Sequence, residues 1–535
     1  MEILLVMPRY NLTTKKDYHY FFPLGLPYIS AVIKKEGYSV DCLNLNHLEG
    51  TVEEIIQKQL DSKKYDILGI GGNALNYAVI DTVIQTSRKH PSNPKIILGG
   101  PIITTEPELI FEALNPDIGI IGEGEETIVD ILKKIKKKQS TQKIKSIMFR
   151  DKSGNLVRTV RRKAIENLNS LPFPDYEGFG FSEQLDHLNP NFSWIHNAFD
   201  NPRVYYALCS RSCPFQCTFC YHEDRYRTRS IENVFKEIRE RVKKYKINII
   251  FLYDECLGVD KNRISDFCIE MNKLRKEVSW DLKWICQIRV DAVNRNILSM
   301  IKKAGCEAVS YGFESYSPTV LKSMRKNITP EQIDKALKET LNQNLGIQAF
   351  FIFGDIAETK ETARETLNYW KNNCEGQVGL GFIQPYPGSQ IYKSCVERGI
   401  IPDKLSFIKN KIAVGLWLNM TESMSDKEIN QLRKNILDYM AKYPKFVIPF
   451  EIKKNYQDNF YIKVKCPYCN QEIAYDNCFM TSKLNFGFIV LCRHCRRRFF
   501  VVSLLQKIAY RYYPITRTVR DYYLNIKRFI LKKTL

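Results

Sequence analysis

Residues 209–221 read Cys-Ser-Arg-Ser-Cys-Pro-Phe-Gln-Cys-Thr-Phe-Cys-Tyr. Within this stretch, Cys213, Cys217 and Cys220 are spaced Cys-x3-Cys-x2-Cys. Three thiolates this close in sequence can bind three irons of one cubane iron–sulfur cluster, which usually has four cysteine ligands. One iron would then stay open to a further ligand, and an open metal position is where chemistry occurs. The stretch therefore predicts a catalytic iron–sulfur site.

This spacing, with Phe219 immediately before the third cysteine, resembles the signature of the radical S-adenosylmethionine (SAM) enzymes. The resemblance implies a 4Fe-4S cluster on Cys213, Cys217 and Cys220, with the amino and carboxylate groups of SAM on its open iron. It also implies an electron donor such as flavodoxin or ferredoxin, and cleavage of SAM to a 5′-deoxyadenosyl radical. The residues alone leave a zinc site or three buried cysteines as alternatives. Cys209 is interpreted as a strand residue rather than as a fourth ligand.

The composition points to a multidomain protein of a reducing compartment. The 535 residues are too many for one hydrophobic core, so we expect two to four domains. The 16 cysteines fall into two tight clusters and scattered single residues, which favours metal sites over a disulfide framework. The first residues lack the features of a signal peptide, and no stretch approaches the roughly 20 apolar residues of a membrane-spanning helix. We therefore expect a cytoplasmic protein.

The N-terminal 140 residues alternate short apolar runs with helical patterns, which predicts an α/β fold with a doubly wound (Rossmann-like) parallel sheet. The predicted strands are 3–7, 39–43, 67–70, 96–98 and 118–121. Glycines follow several of these strands, at the edge where ligands of such sheets bind. Small residues there let the backbone approach a bulky ligand.

This region is similar to the cobalamin-binding domain that precedes many radical SAM barrels. The similarity lies in Pro-Leu-Gly-Leu-Pro at 23–27, Leu-Gly-Gly-Pro at 98–101 and Gly-Glu-Gly-Glu-Glu-Thr at 122–127. It implies that cobalamin contacts these residues: Gly72, Gly99, Gly100, Gly122 and Glu123. The Asp-x-His-x-x-Gly motif, whose histidine ligates cobalt in cobalamin mutases, is absent. The alternative is a domain that keeps the fold and binds nothing.

Strand–helix alternation resumes from about residue 201 to 400. The predicted strands are 204–208, 249–253, 282–288, 308–313, 348–353 and 379–383. Six repeats are consistent with the partial (βα)6 barrel of radical SAM enzymes, in which functional residues follow the carboxyl ends of strands. The resemblance implies SAM contacts by the residues at these ends and after the cluster: Tyr221, Asp254, Glu255, Arg289 and Glu314. An arginine suits the SAM carboxylate because it can bind in bidentate fashion. A structural ion pair is the alternative for Glu314.

A second cysteine cluster consists of Cys466-Pro-Tyr-Cys469 and, 22 residues later, Cys492-Arg-His-Cys495. Two Cys-x2-Cys pairs at this separation predict a small zinc ribbon with a closed, structural site. An auxiliary iron–sulfur cluster is the alternative. The predicted domains are 1–140 (cobalamin-binding type), 141–200 (hairpin and linker), 201–400 (barrel), 401–460 (helical extension), 461–503 (zinc ribbon) and 504–535 (basic tail).

The basic tail carries a large share of the charge. Of the net charge of +21, about half lies after residue 492, where 12 Lys or Arg face the single acid Asp521. The tail also has apolar residues at helical spacing, so it could lie on an anionic membrane surface, bind nucleic acid, or pack on its own protein. Membrane contact would place the protein at the inner face of the membrane and would suit a lipid-linked substrate.

These patterns predict a cobalamin-dependent radical SAM enzyme that methylates an unactivated carbon of a small-molecule or lipid-linked substrate. One alternative is the same radical used without methyl transfer, for a rearrangement, cyclisation or oxidation. Another is RNA modification, which the ribbon and the basic tail suggest. Against it, no RNA-binding domain is recognisable, and about half of the excess charge lies at the end of the chain.

Overall fold

The computed structural model describes residues 1–10, 14–222, 224–254, 257–412, 418–456 and 458–513. In chain order, the strands are β1 (Glu2–Met7), β2 (Ser39–Asn44), β3 (Ile67–Gly71), β4 (Lys95–Gly99), β5 (Ile118–Ile120), β6 (Ile147–Arg150), β7 (Leu156–Arg158), β8 (Val204–Ala207), β9 (Ser210–Arg211), β10 (Arg227–Thr228), β11 (Ile249–Leu252), β12 (Lys283–Gln287), β13 (Cys306–Glu314), β14 (Gly346–Phe353), β15 (Gly379–Phe382), β16 (Phe446–Val447), β17 (Glu451–Tyr456), β18 (Asn459–Lys465), β19 (Glu472–Phe479), β20 (Gly487–Leu491) and β21 (Arg498–Val502).

The α-helices are α1 (Gly25–Lys35), α2 (Val52–Ser62), α3 (Tyr77–Lys89), α4 (Pro101–Thr105), α5 (Pro107–Leu114), α6 (Glu125–Lys136), α7 (Phe181–Asp186), α8 (Ile231–Tyr245), α9 (Lys261–Glu277), α10 (Arg295–Lys303), α11 (Pro318–Ser323), α12 (Pro330–Asn342), α13 (Lys360–Asn373), α14 (Gln390–Glu397), α15 (Lys404–Phe407), α16 (Asp426–Lys442) and α17 (Leu504–Arg511). None of the helices in the described part of the chain has the length and apolarity needed to cross a bilayer.

Within these residues the chain divides into two compact units. The first comprises 1–188, 206–245 and 384–418, and the second comprises 189–205, 246–383 and the residues from 419 onward. The chain therefore passes between the units several times. The predicted domain boundaries remain predictions.

The first unit is built on a sheet with the strand order β2-β1-β3-β4-β5-β6-β7, which is parallel from β2 to β5. All five residues from Ile3 to Met7 in β1 are at most 2% exposed, because helices cover both faces of a doubly wound sheet. A methyl group on Gly69 in β3 would lie 2.6 Å from Cδ2 of Leu5, so only glycine fits there. The predicted doubly wound sheet is confirmed.

The hairpin β6–β7 extends this sheet, with β6 antiparallel to β5. Its turn is fixed by Asp151, whose side chain accepts hydrogen bonds from the backbone amides of Ser153 and Asn155. An aspartate side chain that accepts hydrogen bonds from nearby backbone amides stabilises a tight turn. The hairpin therefore forms an edge of the first sheet.

Most strands of a six-stranded sheet, in the order β15-β14-β13-β12-β11-β8, lie in the second unit. Neighbouring strands from β11 to β15 are parallel and adjacent in sequence, with a helix on each crossover. This is the arrangement of a partial (βα)6 barrel, and all six predicted strands are present. A capping box starts α13, in which the Thr359 and Thr362 side chains each accept from the other's backbone amide.

The same unit ends in two three-stranded sheets, β16-β21-β20 and β17-β18-β19, around a shared core that includes Ile462, Val464, Tyr475 and Phe499. They form the predicted zinc ribbon. Beyond it, α17 exposes apolar side chains at Leu504, Leu505 and Ile508, and Tyr512 just after the helix is also exposed. Residues 514–535, on which most of the predicted basic tail falls, lie outside the described residues.

Candidate functional site

A cavity of about 440 Å³ lies in the first unit at the carboxyl ends of its parallel strands. Its volume is within the roughly 300–1,000 Å³ typical of small-molecule sites. Every residue of the cobalamin prediction lines it: Gly72, Gly99, Gly100, Gly122 and Glu123. The structure thus brings together residues that are up to 51 positions apart in the sequence.

Two backbone segments meet at the edge of this cavity. A Cβ atom on Gly100, whose φ is 84°, would lie 2.9 Å from the carbonyl oxygen of Gly72. A Cβ atom on Gly71 would lie equally close, at 2.9 Å, to the carbonyl oxygen of Gly99. By contrast, a Cβ on Gly99 would meet no atom within 4 Å. Gly71 and Gly100 therefore allow the two backbone segments to contact each other, whereas Gly99 leaves open space beside the cavity.

The loop after β3 also borders the cavity, through Asn73 and Asn76. The Asn76 side chain accepts from the Asn73 amide at 3.1 Å and so fixes the loop. Among the described residues, no histidine lines the cavity. The glycines and amides at this edge leave room for a bulky ligand, which fits the cobalamin prediction.

The three cysteines of the Cys-x3-Cys-x2-Cys motif lie on the loop between β9 and β10. Cys213 and Cys217 are partly buried and Cys220 is exposed. The other described cysteines between β8 and α14 are buried: Cys209, Cys268, Cys286, Cys306, Cys374 and Cys395. The loop thus presents the accessible thiols of this region, which fits metal ligands better than core packing. Cys209 lies between β8 and β9 and is buried, so its prediction as a residue within a strand is wrong.

The base of this cysteine loop is the two-residue ladder of β9 and β10, in which Arg211 and Arg227 are direct partners. Glu123 accepts from both, with one carboxylate oxygen 2.9 Å from Arg211 and the other 2.9 Å from Arg227. Glu125 accepts from the second arm of Arg211 at 2.5 Å. Burial opposes ionisation of Glu123, but the hydrogen bonds and charges of the two arginines outweigh it and hold the pKa of its carboxyl below the ordinary value. The cavity and the cysteine loop therefore share an ion-pair network.

Tyr221, which follows the last cysteine, packs in the first unit. A methyl group on Gly388 would lie 2.6 Å from Cδ2 of Tyr221 and 2.8 Å from Cγ2 of Thr105. Gly388 has a φ of 91°, a second reason for glycine at this position. The backbone amide of Ile391 also donates to the carbonyl of Thr218 within the loop, at 2.9 Å. The 384–388 segment therefore supports the cysteine loop, and the adenine contact of Tyr221 remains a prediction.

In the second unit, the predicted SAM residues follow the carboxyl ends of their strands. Asp254, just after β11, is 2% exposed, and Glu255 lies outside the described residues. Arg289, after β12, donates from Nε and Nη2 to Asp291 and from Nη2 to the carbonyls of Lys326 and Asn327. Their contacts with SAM remain predictions.

Glu314 ends β13 at an irregularity in the ladder, where its φ of 60° turns the backbone into the left-handed region. Such irregularities re-aim a side chain at a strand end. Lys326 donates to its carboxylate at 2.7 Å. Nothing in the sequence distinguishes Lys326, because a single lysine in a basic chain belongs to no recognisable motif. Glu314 therefore makes the ion pair that is expected if its role is structural. This ion pair does not exclude a contact between Glu314 and SAM.

A pair of buried carboxyl groups follows β14. Asp355 and Glu358 are each 1% exposed. Burial raises the pKa of Asp355, and it raises that of Glu358 to about 7 against hydrogen bonds from Thr362 and the Gly354 amide. Neither residue belongs to a motif described above, so the sequence patterns do not predict this buried pair.

The four ribbon cysteines come together in the second unit. Their Sγ atoms all lie within 4.8 Å of one another, with Cys466–Cys495 at 3.8 Å and Cys469–Cys492 at 3.7 Å. A tetrahedral zinc with Zn–S bonds of about 2.3 Å has sulfur–sulfur edges of about 3.8 Å. The donor set therefore fits one tetrahedral ion rather than a cubane, in which each cysteine binds a different iron.

The ribbon packs against the amino ends of the barrel strands. Arg496 pairs with Glu307, the second residue of β13, at 2.6 Å, and Glu307 is 3% exposed. Gln377, just before β15, accepts from the Arg498 amide at 2.7 Å and donates to its carbonyl at 2.9 Å. A methyl group on Gly346, the first residue of β14, would lie 3.3 Å from Leu491 of β20. The ribbon thus lies at the amino ends of the strands, whereas the active sites of parallel barrels lie at the carboxyl ends.

Comparison with known proteins identifies the two main parts. A family profile described as the B12 binding domain matches residues 11–132, and one described as the Radical SAM superfamily matches residues 208–369. The chain is a radical SAM enzyme with a B12-binding domain. The predicted family and fold class are confirmed, and with them a 4Fe-4S cluster and SAM as the cofactors that a radical SAM domain implies.

Several relatives of this radical SAM enzyme are named for their reactions. An uncharacterized methyltransferase of Pyrococcus horikoshii is 26% identical over 411 residues, which cover 75% of this chain and 84% of that protein. The anaerobic magnesium-protoporphyrin IX monomethyl ester cyclase of Rubrivivax gelatinosus is 24% identical over 409 residues, covering 74% and 70%. The cobalamin- and 4Fe-4S-bound structure of the radical SAM methyltransferase TsrM from Kitasatospora setae matches with a TM-score of 0.59 at 15% identity, over 74% of this chain and 75% of that one. At this sequence identity, the match to TsrM shows a similar fold only.

Proposed function

We propose that this radical SAM enzyme is a cobalamin-dependent methyltransferase that acts on an unactivated carbon of a small-molecule substrate. The observation that carries the proposal is the cavity whose lining includes every predicted cobalamin residue, in the unit that also holds the cysteine loop. Relatives named as methyltransferases support it.

Three sets of residues would hold the cofactors. Cys213, Cys217 and Cys220 would bind the cluster, and the cavity with Gly72, Gly99 and Gly100 would bind cobalamin. When bound, the cluster with SAM supplies a hydrogen-abstracting radical, and cobalamin supplies a methyl carrier. Asp254, Arg289 and Glu314 would hold and orient SAM from the strand ends of the second unit.

The chain's own contribution is placement and protection. The apolar lining of the cavity, from residues such as Leu5, Met7 and Ile120, would exclude water from a cobalamin bound there. The ion pairs of Arg211 and Arg227 keep the base of the cysteine loop in one arrangement. Fixing reacting groups in advance is worth several kcal/mol of a reaction barrier, roughly 7–11 in favourable cases.

We also propose that the ribbon binds one zinc ion with a structural role. Four sulfurs at tetrahedral spacing leave no open coordination position, and the ribbon contacts the amino ends of the barrel strands. The zinc would hold the ribbon against β13 and β15 from that side.

A second candidate is a radical cyclase or oxidase that binds cobalamin without transferring a methyl group. The observation in its favour is the match to a protein named as a cyclase over 74% of this chain. Both candidates would share the same residues up to the formation of the radical.

One experiment separates them. Anaerobically reconstituted protein would be given hydroxocobalamin, titanium(III) citrate and SAM with a deuterated methyl group. A methyltransferase is expected to form S-adenosylhomocysteine as well as 5′-deoxyadenosine, both measured by mass spectrometry. Deoxyadenosine alone would favour the second candidate, and neither product would contradict both. Cys213→Ala should abolish both products, while Cys209→Ala, at a buried cysteine outside the motif, should keep them.

A further inference from the structure

The cysteine loop is tied to the B12-binding domain at its base. Arg211 and Arg227 face each other in the β9–β10 ladder, and like charges in that position repel. Glu123 bridges them with one oxygen each, and Glu125 binds the remaining arm of Arg211. Two acids thus balance two arginines.

This network is buried. The side chains of Arg227 and Glu125 are each 7% exposed, and those of Arg211 and Glu123 are 15% and 16% exposed. Removing one partner from a buried network leaves an uncompensated charge, which is far more costly than losing a surface ion pair. The closed base of the loop therefore depends on the two glutamates.

Further contacts close the loop above its base. The hydroxyl of Ser212, a residue with a φ of 66°, donates to the carbonyl of Asp224. Arg161 pairs with the Asp224 carboxylate at 3.1 Å, and Glu166 pairs with Arg225 at 2.6 Å. The limb of the loop that leads into β10 is thus held by residues of the N-terminal region, and Ser212 ties the other limb to it.

The same network forms part of the cavity wall. Arg211, Glu123 and Glu125 all line the cavity, and so does Tyr28, over whose ring the Arg211 guanidinium lies at 5.1 Å. Any molecule that fills the cavity meets the residues that fix the base of the loop.

We propose that Glu123 and Glu125 are positioning residues that couple the cavity to the cysteine loop, so that a ligand in the cavity stabilises the loop and the cluster on it. Glu123 is also predicted to contact cobalamin, but the positioning role proposed here acts through Arg211 and Arg227. The inference rests on the proposed function only for the identity of that ligand, which is cobalamin.

The test compares Glu123→Gln with Glu126→Gln. Glu126 is in α6, next to Glu125 and three residues after Glu123, and its ion pair with Arg162 is at the surface, with the glutamate 54% exposed. The readout is the rate at which a chelator removes iron from the reconstituted cluster, with and without hydroxocobalamin, alongside an absorbance titration of hydroxocobalamin binding. In wild-type protein and in E126Q, cobalamin is expected to slow iron release. In E123Q, iron release without cobalamin is expected to be about tenfold faster, equivalent to about 1.4 kcal/mol, and cobalamin should no longer slow it.

A rescue distinguishes positioning from general damage to the fold. The double variant E123Q/R227Q removes the excess positive charge and is expected to bring iron release back towards the wild-type rate. If E123Q does not fold, E125Q, which removes only one contact of Arg211, takes its place in the same comparison.

Two results would overturn the inference. Equal iron release from E123Q and E126Q without cobalamin would show that the network does not position the loop. Binding of cobalamin to wild-type protein without any effect on iron release would show that the cavity and the loop are not coupled. Absence of cobalamin binding in the titration would instead contradict the proposed function, and the comparison of variants without cobalamin would still decide the positioning role.

Discussion

The Nζ atom of Lys326 lies 2.7 Å from Oε1 of Glu314, and the two side chains are only 11% and 10% exposed. The lysine belongs to the segment whose carbonyls accept from Arg289. Two residues predicted to contact SAM are therefore connected through a third that the sequence did not indicate.

Replacing this lysine should weaken SAM binding. In Lys326→Met, the Glu314 carboxylate is left buried without its cation, and it will reorient or take up a proton. We expect the affinity for SAM to fall by about tenfold, or about 1.4 kcal/mol, when it is measured by equilibrium dialysis on the reconstituted protein. Lys326→Arg keeps the charge and should retain most of the affinity. Unchanged SAM affinity in K326M would show that Glu314 does not contact SAM.

Two adjacent glycines at the cavity should respond differently to alanine. Gly100 has a φ of 84°, and a Cβ there would lie 2.9 Å from the Gly72 carbonyl, so Gly100→Ala should cost about 1–3 kcal/mol of stability. Gly99 has open space beside it, so Gly99→Ala should leave stability nearly unchanged. A larger side chain, in Gly99→Phe, should extend into that space and weaken cobalamin binding without unfolding the protein.

Thermal melting and an absorbance titration of hydroxocobalamin measure the two effects separately. Equal melting temperatures for G100A and G99A would contradict the close approach of Gly72 and Gly100. Tight cobalamin binding by G99F would contradict the assignment of the cavity.

The buried Glu358 should make stability depend on pH. Burial raises its pKa from the ordinary 4.5 to about 7, so the folded protein holds this proton more tightly than the unfolded chain does. The resulting stabilisation is complete below pH 4.5 and is lost as the pH rises through about 7, and at full size it amounts to about 3 kcal/mol. Glu358→Gln cannot titrate, and its amide can still accept from the Gly354 amide and donate to Thr362.

Equilibrium urea unfolding from pH about 5 to about 8 checks this prediction. Stability should fall less over this range in E358Q than in wild-type protein, whereas Glu365→Gln, at an exposed position on α13, should behave like wild type. Parallel pH profiles for E358Q and wild type would show that the carboxyl is not held protonated.

Substitution of a ribbon cysteine should have a much larger effect than substitution of the buried Cys478 beside it. Cys492 and Cys478 are both 0% exposed and belong to the same core, but only Cys492 is in the four-thiolate group. Cys492→Ser is expected to lose the zinc and to expose β13 and β15 to hydrogen exchange at their amino ends. Cys478→Ala should keep the zinc and cost about 1 kcal/mol. Retention of one zinc per chain by C492S would contradict the proposed site.

Much of the fold was predictable because apolar runs as long as a strand alternate with amphipathic helices. The same regularity predicted the cavity, since Gly72, Gly99 and Gly122 follow parallel strands whose carboxyl ends meet at one edge of the sheet. Local patterns cannot show long-range ion pairs. Arg227 and Glu123 are 104 residues apart, and nothing in either neighbourhood distinguishes them from surface charges. The hairpin β6–β7 was predicted as an element, but its pairing with β5 depends on register that the sequence does not specify.

The most direct test of the central claim is the metal and cofactor content of the chain after anaerobic purification and reconstitution with iron, sulfide and hydroxocobalamin. The account predicts about four iron, one cobalt and one zinc per chain. Iron and zinc without cobalt would contradict the claim that this radical SAM enzyme uses cobalamin, and with it the proposed methyl transfer.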